Sequence, residues 1–396
     1  MPALGAELTA LLAAQEDYER RRTVWTRQAG RKLCDLSYAN PQEGPHAAVI
    51  AAIRDALDSR RELDFQYTPY GGSTITRRLV AQQIARTHSA PFRWRDIVMT
   101  PGAMAALNVA FRALKSDDAL DDVIVPTPCW MDYPLYLVQL GFRPVLVPLD
   151  PTTLRLDLDR LASAIGPATR AVVISQPANP SGVLYSADEL QALGELLETA
   201  AGRFATRPWI ISDECHRDYV FAPARFVSPL SYYERTVIVY SFGKALFMQG
   251  ERIGYLAVPP RVPDRDQLTT TFERLCRMMG FCTPTSLMQL AVRKLLEVQH
   301  DVETLATRRA RVAGALASYG YDLPESQATF FLYPRSPTAD DLAFVEMLAS
   351  HDVLVLPARL FHDVGRFRIS VTASDSVLDR ALHAFERTAA KREVLQ

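Results

Sequence analysis

Short apolar runs recur along the middle of the chain, separated by stretches with helical periodicity. The runs are 121–128 (DDVIVPTP), 142–149 (FRPVLVPL), 169–176 (TRAVVISQ), 209–214 (WIISDE), 236–242 (TVIVYSF) and 252–259 (RIGYLAVP). They are rich in Val and Ile and mostly apolar on both faces, the pattern of strands buried between two layers. Between them lie helical patterns such as 187–202, where Ser186 and Glu189 are spaced as a capping box. A strand–helix–strand spacing of about 30 residues predicts right-handed crossovers and a mainly parallel sheet. The fold class is therefore α/β, a three-layer large domain. Residues 1–34 read as a charged helical arm and 35–300 as the large domain, whose first 30 or so residues can pack with the small one. Past 300 the pattern changes. A continuous helical stretch from about 286 to 318 leads into the strand-like runs 329–334, 352–357 and 367–370 and a closing helix at 376–391. Residues 301–396 are read as a smaller α+β domain.

Composition limits the function classes. Of 396 residues, 48% are hydrophobic and 22% charged, and the net charge is −1, so no overall basic field points to nucleic acid or an anionic membrane. No apolar run approaches the ~18 residues of a membrane span. The acids in the first 22 residues do not suit an export signal. Cys34, Cys129, Cys215, Cys276 and Cys282 have no CxxC spacing and read as free thiols in a reducing compartment. The cytoplasm, with neither nucleic-acid nor membrane partners, is the expectation. No zinc or other metal site is expected, and G-x-G-x-x-G, Walker, H-E-x-x-H and G-x-S-x-G signatures are absent. A ligand-sensing domain fused to a DNA-binding module is not the expectation, because the arm is neither strongly basic nor of helix-turn-helix pattern.

Among 44 basic residues only five are lysines: Lys32, Lys115, Lys244, Lys294 and Lys391. In a chain that prefers arginine, a lysine in an apolar context raises the question of amine chemistry, since only lysine forms a Schiff base. In a parallel sheet, ligands bind beyond the carboxyl ends of the strands. Those ends carry Asn179, then Asp213 with His216, then Ser241 and Lys244 with Arg252 shortly after. Asn179, Asp213 and Lys244 are separated by 34 and 31 residues, about one crossover each.

These segments carry a resemblance. SFGKALFMQGERIGY (241–255) resembles the Schiff-base lysine motif of fold-type I pyridoxal-phosphate enzymes, the class I and II (aspartate) aminotransferase family. PANPSG (177–182), FRIS (367–370), TPGAMAAL (100–107), PTPCWMDYP (126–134) and YTPYGG (67–72) are similar to further motifs of that family, in the family's order. The likeness covers about residues 35–390.

The resemblance implies roles. Lys244 would hold the cofactor aldehyde as an aldimine and then move the substrate Cα proton through a quinonoid. Asp213 would face the pyridine nitrogen and Asn179 the phenolic oxygen. Gly102, Ala103 and Met104 at a helix start, with Ser241 and Arg252, would hold the phosphate. Trp130 would lie on the ring face, and Tyr67 would arrive from the partner of a homodimer. Arg368, with Asn179 and the backbone around Ala39, would bind the substrate.

The pattern departs from the family at three places: His216 stands where most members have a tyrosine, Gly243 precedes the lysine in place of a serine, and 36–41 reads LSYANP. The implied activity is transfer of an amino group from an L-amino acid to a 2-oxo acid. His216, given a catalytic role, keeps open an alternative, an oxygen-dependent amino-acid oxidase or hydroxylase or a lyase of specialised metabolism.

Overall fold

The computed structural model describes residues 4–390 except 43, 60, 62–63, 117–119, 205, 282 and 299–300. Cys282 and Lys391 lie outside the described residues. Among the described residues, twelve strands form three sheets. In chain order they are β1 (Cys34–Asp35), β2 (Ile97–Thr100), β3 (Asp121–Thr127), β4 (Phe142–Pro148), β5 (Thr169–Ser175), β6 (Trp209–Asp213), β7 (Thr236–Ser241), β8 (Gly254–Ala257), β9 (Phe331–Leu332), β10 (Val353–Leu354), β11 (Leu356–Pro357) and β12 (Phe367–Ser370).

The central sheet runs β2-β8-β7-β6-β5-β3-β4. All its pairings are parallel except those of β8, which is antiparallel to both β2 and β7. The six apolar runs are six of its seven strands, and β2 is the strand that the periodicity did not mark. The two faces of the sheet pack into different cores, as strand alternation requires. Val123, Val125, Ala171, Val173, Ile211, Val237 and Val239 enter one cluster. Their neighbours Ile124, Val172, Ile174 and Ile210 enter a second, and Ile238 and Tyr240 a third. Helices cover both faces, which is why these strands carry few polar residues. β4 is the edge strand and tolerates Pro144 and Pro148 there.

The reversal of β8 decides the site. β5, β6 and β7 end at one edge of the sheet, and because β8 runs the other way it begins at that same edge. The loop that leads into β8, with Arg252, therefore returns to the residues that follow β5, β6 and β7.

The predicted helices at the arm and at 187–202 form as Ala6–Ala29 and Ala187–Phe204. The capping box is made: Ser186 N–H donates to Glu189 Oε2 (2.8 Å) and Glu189 N–H to Ser186 Oγ (3.2 Å). The expected continuous helix 286–318 is not one helix. It divides into Ser286–Val292 and Val302–Ser318, because Asp301 caps the second by accepting from Thr304 N–H at 2.9 Å. In the C-terminal part β11-β12-β9 form an antiparallel sheet, and β10 pairs in parallel with β1 near the start of the chain. The arm helix packs there too, where buried Tyr18 donates to the Val355 carbonyl at 2.9 Å. Among the described residues, no helix is long and apolar enough to cross a membrane.

β8 comes so close to β7 that Gly254 has no room for a side chain. A Cβ would overlap the Tyr240 carbonyl oxygen and sit 3.1 Å from the Gly102 backbone. Overpacking of this kind costs about 1–3 kcal/mol. Gly254→Ala should therefore lower urea stability by about that amount, while Gly314→Ala, where a Cβ meets nothing within 4 Å, should not.

Candidate active site

A cavity of ≈ 140 Å³ opens at the carboxyl edge of the sheet. It is lined by Ala103, Met104, Trp130, Asn179, Asp213, His216, Ser241, Lys244 and Arg252 among others. Nine residues singled out in the sequence thus line one cavity, although they lie on six separate segments.

Lys244 sits in the one-turn helix Phe242–Ala245 that follows β7, capped by Ser241, whose Oγ accepts from Gly243 N–H at 3.3 Å. Among the described residues its amine makes no hydrogen bond or ion pair. Burial pushes the amine down to about 8, opposed by the nearby Asp213 carboxylate. Asp213 closes β6. Its Oδ2 accepts from the Tyr133 hydroxyl at 2.8 Å and its Oδ1 from Cys215 N–H at 3.1 Å. Burial pushes its carboxyl up, and those two donors and Lys244 hold it back. Tyr133 is the functional neighbour that the sequence reading passed over. Its signal was present, three residues after Trp130 in the same segment.

Gly102 starts the helix Gly102–Leu114 with a φ of +77°, and a Cβ there would lie 2.5 Å from Arg252 Nη2. Arg252 is anchored by its Nη1 donating to the Gln249 carbonyl at 2.7 Å. The helix start and the guanidinium therefore frame one concave, electropositive corner. Trp130 stands edge-on to Tyr133 and Tyr136, with centroids at 5.3 and 5.6 Å.

Arg368, from the middle of β12, is buried behind this cavity. It donates to Asn179 Oδ1 at 2.9 Å and to the Ser37 carbonyl at 3.0 Å. The faces of Phe331 and Phe361 lie 4.0 and 4.7 Å from its guanidinium carbon. Its Nε is buried without a partner. Burial pushes it down to about 9, still well charged at neutral pH.

Four predicted residues are not in the cavity lining: Gly102 and Arg368, placed above, and Ala39 and Tyr67. Ala39 is buried, and its carbonyl accepts from the cavity residue Gln249 at 2.8 Å. Tyr67 is fully exposed beside a separate cavity lined by Arg61, Ser73, Gln289 and Arg293. Cys34, Cys129 and Cys215 are free thiols, and the described residues hold no cluster of three or more His, Cys, Asp or Glu that could bind a metal ion.

The family model for aminotransferases of class I and II matches residues 31–385. The chain is 27% identical to a probable aspartate/prephenate aminotransferase of Aquifex aeolicus over 349 residues, 85% of this chain and 86% of that protein. It is 26% identical to an aspartate aminotransferase of Bacillus subtilis, covering 91% and 92% of the two chains. Among solved structures, an aminotransferase of Eubacterium rectale superposes with a TM-score of 0.88 at 29% identity over 98% of this chain and 96% of that one. Thermus thermophilus aspartate aminotransferase with maleate gives 0.84 at 25%, over 98% and 100%. The chain belongs to the class I and II aminotransferase family, of fold type I. It is a pyridoxal-phosphate-dependent aminotransferase.

The residues present fit that cofactor. The cavity combines an unpaired buried amine, a carboxylate held in place by two donors, a glycine corner at a guanidinium, and an aromatic wall.

A buried amine with its pKa near 8 destabilises the cofactor-free fold below that pH. The unfolded chain, with the ordinary value of 10.5, binds the extra proton more readily. This cost is complete below about pH 8 and fades as pH rises toward 10.5. Lys244→Met should therefore stabilise the cofactor-free protein at pH 7 by about 1–3 kcal/mol in urea unfolding, and the gain should shrink by pH 10.

Proposed function

We propose that the chain transfers the amino group of an L-amino acid to a 2-oxo acid. The observation that carries this is Lys244: an amine buried in the cavity wall with no hydrogen bond or ion pair among the described residues, kept partly deprotonated, with the Asp213 carboxylate and the Arg368 guanidinium close enough for their charges to act on it. Pyridoxal phosphate, when bound, supplies an electron-withdrawing ring that acidifies the substrate Cα–H.

The chain's residues do the rest. Lys244 Nζ would be the attachment point and, once released, the base that takes the substrate Cα proton and gives it back at the carbon on the other side of the substrate nitrogen. Asp213, oriented by Tyr133, holds a proton at the ring nitrogen. Asn179 binds the phenolic oxygen. Gly102, Ala103 and Met104 at the helix start bind phosphate with Ser241 and Arg252, through backbone N–H groups, a hydroxyl and a guanidinium. Trp130 covers one ring face. Arg368 binds the α-carboxylate, and its partnerless Nε fits that use. The Ala39 carbonyl holds Gln249 at the wall of the substrate side. Tyr67, exposed and away from this cavity, suits a residue given to the partner's site in a homodimer. Aspartate and prephenate, named in the relatives' descriptions, are the substrates to try first.

The family assignment supports transamination over the oxidase or lyase alternative, and one titration separates them. Without oxygen, an amino-acid substrate should abolish the visible band of the bound cofactor, and a 2-oxo acid should restore it. Restoration that needs air, or ammonia released without a 2-oxo acid, would overturn the proposal. Arg368→Ala should raise KM for the amino acid at least tenfold, the loss of one charged hydrogen-bonded contact. Arg252→Ala should instead weaken retention of the cofactor during dialysis.

A further inference from the structure

The segment after β6 brings Tyr219 to the back of the turn that carries Lys244. The helix Phe242–Ala245 is too short to satisfy its own carbonyls. Those of Phe242 and Gly243 accept from the N–H groups of Leu246 and Met248, each at 3.1 Å. That of Ala245 accepts from the Tyr219 hydroxyl at 2.9 Å. Phe247 follows with a φ of +50°, a conformation that a residue with a Cβ rarely adopts and that its surroundings must hold. Its ring is stacked on that of Tyr219, with centroids 6.0 Å apart and planes at 17°.

The turn needs such a hold because there is a hollow on each side of it. Gly243 and Lys244 line the cavity described above. Tyr219, Ala245, Leu246 and Phe247 line a second one of ≈ 150 Å³, which shares no lining residue with the first. Residues 243–247 are thus a thin wall between two cavities, with less packed against it than a core segment has. Tyr219 itself is firmly held and fully buried. Its N–H donates to the His216 carbonyl at 3.0 Å, its carbonyl accepts from Thr329 N–H at 2.7 Å, and its ring stands edge-on to Phe330 at 5.6 Å.

We propose that Tyr219 is a positioning residue for Lys244: its hydroxyl on the Ala245 carbonyl and its ring against Phe247 keep the lysine turn out of the second cavity and hold the amine where it meets the substrate Cα. The proposal rests on the site reading given above. Such a pin supplies orientation and no chemistry of its own, and a small displacement of a reacting group costs rate out of proportion to its size.

The test compares Tyr219→Phe, which removes the hydroxyl and keeps the ring, with Tyr233→Phe. Tyr233 is equally buried and donates to the Pro208 carbonyl at 2.6 Å, but at the opposite edge of the sheet, where β6 and β7 begin. The first readout is single turnover of cofactor-loaded enzyme with the amino acid that abolishes the parent's visible band in the titration above. Tyr219→Phe should slow the loss of that band about tenfold and enlarge the isotope effect of Cα-deuterated substrate, while the apparent Kd and cofactor retention stay within about twofold. Tyr233→Phe should keep the parent rate. The second readout uses cofactor-free protein. The stability gained at pH 7 by adding Lys244→Met should fall by about half in the Tyr219→Phe background, as water reaches the amine and returns it toward its ordinary value, and should be unchanged in the Tyr233→Phe background. A parent rate in Tyr219→Phe, an equal slowing in Tyr233→Phe, or an undiminished gain from Lys244→Met would overturn the proposal and leave Tyr219 a packing residue. Should Tyr219→Phe fail to fold, Phe247→Leu decides, because it removes the stacked ring and keeps the hydroxyl: slower turnover at an unchanged Kd supports the proposal, and the parent rate overturns it. Failure of the underlying site reading would show separately, as a visible band that survives in Lys244→Met.

Discussion

An amine that must act as a base at neutral pH has to be taken out of water, and the architecture around Lys244 answers that requirement. The lysine lies in a single helical turn at the end of a strand whose residues are all buried. Nothing so short could hold a side chain in place alone; the sheet on one side and the loop leading to β8 on the other do it. The same exclusion of water that lowers the lysine raises Asp213 and neutralises His216. One physical term, desolvation, thus tunes three groups in directions set by the sign of their charged forms.

Burying cations together is costly unless something else receives them. Arg368 is received by two carbonyl-type oxygens and two phenyl faces, not by a carboxylate. A carboxylate partner within the protein would have satisfied the guanidinium and left nothing for a ligand. Oxygens of Ser37 and Asn179 hold it in orientation while leaving its charge uncompensated, which suits capture of an anion. The arrangement also ties the first strand region to the last, because Ser37 and Arg368 come from opposite ends of the chain.

Much of the site was legible in the sequence because parallel crossovers place successive strand ends at one edge. Asn179, Asp213 and Lys244 follow from that rule alone. What escaped were features that depend on packing between segments. Tyr133 looked like an ordinary aromatic until its hydroxyl met Asp213. The periodicity across 286–318 is helical throughout, yet the helix breaks where Asp301 offers a cap. β2 is too short to show alternation, and only its pairing with β8 makes it a strand.

The sequence by itself determined six strands of the central sheet and their order along the chain, the residues at the strand ends and the resemblance those residues carry. These depend on local periodicity and on residue identity, which a linear chain carries. Only the tertiary structure decided that β8 runs backwards and returns Arg252 to the cavity, that Arg368 lies between aromatic faces, and that the Tyr219 hydroxyl reaches the Ala245 carbonyl. Those are relations among residues up to several hundred positions apart, set by which surfaces exclude water together, and no stretch of the chain holds them alone.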